Sequence, residues 1–231
     1  MIVSVHQPQY LAWVGYFHKI SQSDVFVFLD NVQYKEREYQ NRNQIRTKDK
    51  TQWLTVPVLN SKERYIKIRE VLIDNSQHWA SKHWKALYLN YNRSPFFKQY
   101  ADFFCDLYGR KWDKLLDLNM YFIRGINKIL NLDKTIYIES DLKVENVKTA
   151  RIIEICKKLS ADTYLSGVGG RAYLEEKLFS ESKVKLQYQQ FKHPQYLQCY
   201  APFIPNLSIV DLLFNCGPQA AKFMSEGDSL I

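Results

Sequence analysis

The sequence predicts an α/β protein with a Rossmann-like, mostly parallel sheet, a hairpin and a helical insertion in the middle of the chain. The first 30 residues read as strand, helix and strand, the middle has helical periodicity, and the last third returns to strands separated by helices. The chain has 231 residues, of which 46% are hydrophobic and 24% charged. At this length roughly 70% of the unfolded surface can be buried in one core. We expect a single α/β domain over residues 1–231, with the helical insertion at about 78–131.

The chain opens with a pattern typical of a βαβ unit. Residues 2–5 form a β-branched run that ends before Pro8, which cannot donate to a sheet. Apolar residues then recur at helical spacing over 11–21, which predicts a short amphipathic helix. Residues 24–30 form a second apolar run, continuous enough for a strand buried on both faces. Three such elements within 30 residues fit a compact βαβ unit.

The middle of the chain changes character twice. Polar residues predominate over 31–50, and the stretch 35–46, which has neither strand nor helix period over its whole length, predicts a long functional loop. Alternating residues in 53–58 and 65–73 predict a hairpin, with Pro57 near a sheet edge. Helical patterns then follow at about 79–91, 96–108 and 115–130.

The last third predicts further strands and helices of the α/β core. Strands are expected at 135–138, 163–166 and 184–188, and helices at 146–159, 208–215 and 218–224.

Charge and cysteine content restrict the class of ligand and the compartment. The net charge of +8 favours an anionic ligand such as a nucleotide, a sugar phosphate or RNA. The four cysteines form no CxxC pair, so neither a zinc knuckle nor a disulfide framework is predicted, and reduced thiols in the cytoplasm are expected. No apolar run reaches 18 residues, so we expect no membrane span.

Three polar segments follow predicted strands, where ligands bind in open parallel sheets. Their candidate ligand-contacting residues are His6, Gln7, Tyr10, Asp30, Gln33, Ser166, Gly167, Gly169 and Gly170. The glycines, followed by a helix start, would supply backbone N–H groups to an anion, although a plain tight turn has the same sequence. The segment matches neither the dinucleotide fingerprint nor the phosphate-binding loop.

Three residues are candidates for catalysis. His6 carries an imidazole that near pH 7 can exchange a proton or donate to a phosphate oxygen; a hydrogen bond to a neighbouring carbonyl is the alternative. Asp30 could hold Mg²⁺ or accept a proton, but a carboxylate that caps the next turn looks the same in sequence. Lys19 either reaches over the site or is solvated. A nucleotide with Mg²⁺ is the cofactor that these groups would suit.

The polar loop and two further histidines supply the remaining candidates. The guanidinium groups of Arg42 and Arg46 suit phosphate or carboxylate, and the amides of Asn41 and Asn43 suit sugar hydroxyls. Contact with ligand or a structural role is open for both His83 and His193.

Neither a metal site nor an RNA-binding motif is predicted. His78 and His83 are five residues apart and miss the spacing of a helical metal pair. The 16 Tyr and 13 Phe are expected mainly in the core, since no RNA-recognition motif accompanies them.

Ordered motifs along nearly the whole chain resemble the WbqC-like family of bacterial proteins. The resemblance begins with the runs at 5–20 and 23–30, and it continues through 32–34, 41–43, 53–58, Trp79, 82–83, 164–167, 193–196 and 207–215. Ala12 departs from the pattern, because the family commonly has Pro there. This departure should alter the start of the helix more than the chemistry.

The resemblance implies a function that composition and spacing do not. The family is associated with gene clusters for O-antigen and other surface polysaccharides. It therefore implies a transferase that modifies a sugar or nucleotide-sugar, by acyl or aminoacyl transfer to an amino sugar, with an anionic nucleotide-sugar or acyl donor as its partner.

A weaker similarity leaves two alternatives. The opening strand, helix and strand look similar to nucleotidyltransferases with a His-x-Gly-His signature, but Gly15-Tyr16 stands where Gly-His would be. Nucleotidyl or adenylyl transfer is therefore the second hypothesis. The third is a non-enzymatic RNA- or polysaccharide-binding module.

Overall fold

A parallel five-stranded sheet and a separate antiparallel hairpin form the β structure of the protein. The computed structural model describes residues 1–59 and 65–225. The strands are β1 Ile2–His6, β2 Val25–Phe28, β3 Arg42–Arg46, β4 Thr51–Thr55, β5 Thr135–Ile138, β6 Thr163–Ser166 and β7 Lys185–Tyr188.

The helices connect and cover these strands. They are α1 Val14–Ser21, α2 Trp79–Tyr91, α3 Phe97–Gly109, α4 Leu115–Ile129, α5 Lys148–Lys158, α6 Glu176–Glu181 and α7 Ile209–Cys216. Short 3₁₀ turns occur at Ile68–Glu70, Asn75–Gln77, Glu139–Leu142, Val168–Ala172 and Gly217–Ala221, and the last of these leads into one α turn at Lys222–Ser225.

The strand order of the sheet is β5-β2-β1-β6-β7, with every neighbouring pair parallel. From the central β1 the chain adds β2 and β5 on one side and then returns to add β6 and β7 on the other. This is the Rossmann order, and its direction reverses between β1 and β6. The predicted fold class is confirmed.

The sheet separates two hydrophobic cores, because successive residues of a strand point to opposite faces. On one face Val3, Val5, Val25 and Val27 pack with the apolar residues of α5 and α6. On the other face Phe26 and Phe28 join a larger core built from α1, α2, α3, α4 and α7. β2, whose four residues are all buried, is therefore covered on both faces, as its continuous apolar run predicts, whereas the edge strands β5 and β7 remain partly exposed.

The predicted hairpin was wrong in its pairing. Residues 42–46, expected in a loop, pair with 51–55 as β3 and β4. A tight turn closes the hairpin: the Thr47 amide and side-chain hydroxyl both donate to the Lys50 carbonyl, at 2.9 and 2.8 Å. Residues 65–73 contain a 3₁₀ turn and only isolated bridges, Gln33 to Lys67, Val58 to Ile73 and Leu72 to Lys114. The turn expected between the two predicted strands lies largely outside the described residues.

A buried polar network ties the hairpin to α2 and α7. The Tyr91 hydroxyl accepts from the Arg46 backbone amide at 2.8 Å and donates to Asp211 Oδ2 at 2.9 Å. Asp211 Oδ1 also accepts from the Tyr196 hydroxyl and from Gln198 Nε2, at 2.8 and 2.9 Å. Burial raises the pKa of Asp211, although these hydrogen bonds favour its charged form. One hydroxyl thus satisfies two buried groups from distant parts of the chain.

We predict that Tyr91→Phe lowers the free energy of unfolding by about 1–3 kcal/mol, because a buried amide and a buried carboxylate each lose a partner. Urea unfolding measures this loss. Tyr88→Phe is the matched control, since Tyr88 lies on the same helix with 49% of its surface exposed, and it should leave stability nearly unchanged. Equal midpoints for the two variants would show that the network contributes nothing.

Candidate functional site

A cleft of about 450 Å³ lies between the carboxyl ends of β1 and β6, where the strand order reverses. We call it the switch-point cleft. Its lining residues are Val5, His6, Gln7, Lys19, Leu29, Val32, Lys35, Lys148, Arg151, Ile152, Tyr164, Ser166, Gly167, Gly169, Gly170 and Tyr173. Ligands of open α/β sheets bind at this position, because the crossovers on either side leave to opposite faces and keep a crevice open.

The switch-point cleft is basic. Lys19, Lys35, Lys148 and Arg151 line it, and the described lining residues include no carboxylate. Behind Arg151 lies Glu139, which is 1% exposed and has Oε1 at 3.2 Å from the Arg151 Nε. Burial raises the pKa of Glu139, while the Arg151 charge opposes that shift. The cleft therefore presents net positive charge to a ligand.

Two of these cations stand at the start of α5. Lys148 is its first residue, with a left-handed φ of 52°, and Arg151 is one turn further on. No acidic residue lies in this first turn. The helix dipole disfavours cations at an N-terminus, so basic residues there cost free energy in the absence of an anion. Their position is consistent with a negatively charged ligand.

The glycine segment forms a tight turn rather than an open cradle. The Gly170 amide donates to the Gly167 carbonyl at 2.9 Å, so this amide is already used. A Cβ built on Gly170 would lie 2.0 Å from Ser166 Oγ, so a side chain at this position would clash. A Cβ on Gly169 would meet nothing within 4 Å. The turn thus keeps one edge of the cleft free of side chains.

Lys19 lies on the floor of the cleft. Every residue of α1 from Val14 to Ile20 is buried, and Lys19 itself is 3% exposed. Its Nζ donates to the Val5 carbonyl at 3.0 Å and lies 5.7 Å from the centre of the Phe26 ring. Lys19 makes no ion pair within residues 1–59 and 65–225. Burial lowers its pKa to about 7.

His6 is held as a neutral ring at the tip of β1. Its Nδ1 lies 3.0 Å from the Gln7 carbonyl, and since a carbonyl only accepts, Nδ1 carries the proton. Burial and the Lys19 charge lower the pKa of His6 to about 3. The neutral ring therefore presents Nε2 as an acceptor. This suits a ligand hydroxyl or amine better than the phosphate oxygen considered from the sequence.

Gln7 also lines the switch-point cleft, and its neighbours fix its position. The Gln7 carbonyl accepts from the Tyr16 hydroxyl at 3.0 Å, and Gln7 Oε1 accepts from Gln40 Nε2 at 2.7 Å. The structure thus brings together, among the predicted site residues, His6, Gln7, Lys19, Ser166, Gly167, Gly169 and Gly170.

Tyr10 and His83 lie outside the cleft, in a buried aromatic cluster. The Tyr10 hydroxyl is 2.7 Å from His83 Nδ1 and 2.8 Å from the Tyr108 hydroxyl. Burial lowers the pKa of His83 to about 4. Of the two roles left open for His83, these contacts favour the structural one.

The hairpin residues do not line the cleft either. Asn41 Nδ2 donates to the Val56 carbonyl at 2.9 Å, and Asn43 Nδ2 donates to the Leu11 carbonyl at 2.8 Å. Arg42 donates to the Arg37 carbonyl, and its guanidinium lies 4.3 Å from the centre of the Trp53 ring.

Arg46, expected to clamp an anion, is fully buried and donates to four backbone carbonyls. Those carbonyls belong to Thr47, Lys50, Ala201 and Pro202. The four contacts occupy the guanidinium within the protein.

Asp30, Gln33 and His193 also lie outside the cleft lining. Asp30 is 1% exposed, and its Oδ1 accepts from the Ser140 amide at 3.0 Å, so it binds a distant turn and not the turn that follows β2. Gln33 is exposed and bridges to Lys67. His193 Nδ1 lies 2.8 Å from the Pro194 carbonyl.

Because the cleft lining offers no carboxylate, its residues do not fit a Mg²⁺ ion held by the protein.

Lys35, Lys148, Arg151 and Tyr173 line the cleft and were missed by the sequence reasoning. One signal was available for Lys148 and Arg151: the helix after the third strand of the sheet begins with basic and not acidic residues, against the usual preference.

Within the described parts of the chain, no group of three or more His, Cys, Asp or Glu side chains could hold a metal ion. None of the described helices is both long and apolar enough to span a bilayer.

Fold and cleft together define a Rossmann-like α/β protein with a basic site at its switch point. Residues 7–223 match the WbqC-like protein family, and the chain belongs to that family, as its motifs predict. It is similar to the uncharacterized protein Rv1507c of Mycobacterium tuberculosis, with 34% identity over 224 residues that cover 96% of each chain. No solved structure matches the chain.

We predict that Lys19→Met removes a pH dependence of stability. The Lys19 pKa falls from 10.5 to about 7 on folding, so between these values the unfolded chain binds one more proton than the folded protein. Raising the pH therefore stabilises the folded wild type, by about 1.4 kcal/mol per pH unit for this group.

Urea unfolding between about pH 8 and about pH 9.5 measures this slope as the difference between wild type and variant. Other titrating groups contribute equally to both proteins and cancel. Lys157→Met, which removes an exposed lysine from α5, is the matched control and should leave the slope as in wild type. Parallel curves for wild type and Lys19→Met would contradict the prediction.

Proposed function

We propose that the protein is an enzyme that binds a phosphate-bearing sugar compound, such as a nucleotide-sugar, in the switch-point cleft and modifies the sugar by group transfer. The observation that carries the proposal is the cleft itself. It lies at the position where Rossmann-like sheets bind nucleotides, four cationic side chains line it, and its described lining includes no carboxylate.

The phosphates would bind at the start of α5. Lys148 and Arg151 would provide charge-assisted hydrogen bonds there, and the helix dipole would add to their effect once an anion is present. The open edge at Gly169 would let a bulky ligand approach the backbone.

The sugar would extend toward β1, where His6 and Lys19 stand. The lone pair of His6 Nε2 would accept a hydrogen bond from a sugar hydroxyl or amine. In acyl or aminoacyl transfer to an amino sugar, the sugar nitrogen bonds to the acyl carbon and loses a proton, and the bond between the acyl carbon and its donor breaks, so that the rest of the donor leaves with the bonding electron pair. Lys19, whose pKa of about 7 leaves much of its amine neutral at pH 7, would accept that proton. Membership of the WbqC-like family supports a role in surface polysaccharide synthesis, because the family is associated with gene clusters for O-antigen and other surface polysaccharides.

The nucleotidyltransferase alternative is less well supported. It would require a second histidine beside His6, but Tyr16 occupies the corresponding position and donates its hydroxyl to the Gln7 carbonyl. His18 is buried against Gln189, with Nδ1 at 2.8 Å from the amide nitrogen of that residue, and it does not line the cleft.

The proposal is tested by a thermal-shift screen of the whole protein against nucleotides, nucleotide-sugars and acyl donors, followed by mass spectrometry of incubated pairs. A modified sugar as product supports group transfer. Stabilisation by long RNA alone, with an affinity that falls steeply as salt increases, would instead support the binding-module hypothesis.

We predict that Lys148→Gln weakens binding of UDP by roughly 5- to 10-fold, because one charge-assisted contact to phosphate is lost. Isothermal titration calorimetry measures the affinity. Lys157→Gln changes the net charge equally but lies at the other end of α5, so its affinity should stay within about twofold of wild type. An equal loss in both variants would point to a general charge effect, and no UDP binding by wild type would contradict the proposed site.

A further inference from the structure

The amine of Lys19 is placed as a nucleophile as well as a base. It is the end of a side chain that is 3% exposed, its one described hydrogen bond goes to the Val5 carbonyl, and no carboxylate within the described residues pairs with it. The surroundings thus lack the anion that normally keeps a buried lysine charged.

The cleft leaves space in front of this amine. A Cβ built on Gly167 would lie 4.0 Å from Lys19 Nζ and would meet no other atom within 4 Å apart from its chain neighbours. Gly167 has a φ of −67°, which other residues adopt readily, so backbone conformation does not require glycine here. Its effect on the cleft is to keep side-chain atoms away from the amine on this side, although Lys19 as a whole is only 3% exposed.

We propose that Lys19 captures phosphate-bearing aldehydes and ketones, including open-chain or keto forms of sugar phosphates, as an imine in the switch-point cleft. This inference rests on the proposed function for the phosphate contacts and adds a covalent step. The Nζ lone pair bonds to the carbonyl carbon, and the C=O π pair moves to oxygen. Nζ then loses its two protons, the oxygen leaves as water, and a C=N bond remains.

The chemistry of the amine favours carbonyl ligands over acyl donors as its covalent partners. An acyl group transferred to Nζ would form a stable amide and end turnover, whereas an imine is reversible by hydrolysis. With a pKa of about 7, about half of the Lys19 amine is neutral at pH 7, against less than about one part in a thousand for an ordinary lysine. Lower basicity reduces the intrinsic reactivity of the neutral amine, but its far larger neutral fraction outweighs this loss.

Pyridoxal 5′-phosphate is the probe, because it combines an aldehyde with a phosphate. The whole wild-type protein is incubated with it near pH 7, reduced with borohydride and mapped by mass spectrometry. We expect one dominant adduct, at Lys19, at least about tenfold above exposed lysines such as Lys157. Labelling spread evenly over exposed lysines, with Lys19 unmodified, would overturn the proposal.

Two variants and a second probe test separately whether labelling depends on the Lys19 amine, on the space at Gly167 and on the phosphate of the probe. Lys19→Met should lose the dominant adduct. Gly167→Val should reduce it at least about fivefold while retaining the amine, because its side chain covers Nζ. Pyridoxal, which lacks the phosphate, should label Lys19 at least about fivefold less than the phosphorylated probe. Equal labelling by both probes would contradict capture of phosphate-bearing ligands. Wild-type peptide mapping remains decisive even if a variant fails to fold.

UDP binding distinguishes the failure of this inference from the failure of the proposed function. If UDP binds and suppresses labelling of Lys19, both stand. If UDP binds by calorimetry and the probe leaves Lys19 unmodified, the covalent step is wrong and the nucleotide site remains. If neither UDP nor the probe binds, both are wrong.

Discussion

The reversal of strand order between β1 and β6 is the constraint on which the rest of the structure depends. Because the two halves of the sheet grow outward from β1, their helices cover opposite faces, and α1 and α5 approach the same crevice from opposite sides. α1 brings a buried amine and α5 brings two cations. Neither helix would contribute to a shared site if the strands followed one another in a single direction.

The electrostatics of the cleft follow from burial as much as from charge. His6 and Lys19 lie in one low-dielectric space, and burial disfavours the cationic form of both. The cations at the α5 terminus are better solvated, since Lys148 is exposed and Arg151 is balanced in part by Glu139. The site therefore has a charged end and a largely neutral end, which matches a ligand with phosphates at one end and a sugar at the other.

The sequence predicted the sheet well and the site in part. The strands at 135–138 and 163–166 were predicted to the residue, because each is a short run that contains β-branched and aromatic residues and ends clearly on both sides. β3 was missed because four of its five residues are polar. Asn43 and Arg46, which lie on opposite faces of the strand, are buried by hydrogen bonds to carbonyls, and only Ile45 is buried in the apolar core. The strand-end rule found His6 and Ser166. It could not show that the amides and guanidiniums of the hairpin already have partners within the protein.

Basic residues in the first turn of α5 have a consequence for the ligand-free protein. Lys148 and Arg151 lie at the positive end of the helix dipole, and within the described residues only Arg151 of the two has a carboxylate partner, Glu139. Binding of the proposed phosphates would relieve this unfavourable arrangement of charges. Under the proposed function, the folding equilibrium would be linked to the anion composition of the solution. Phosphate or sulfate in a buffer would then act as a weak ligand of this protein, and a stability measured there would belong to a partly occupied state.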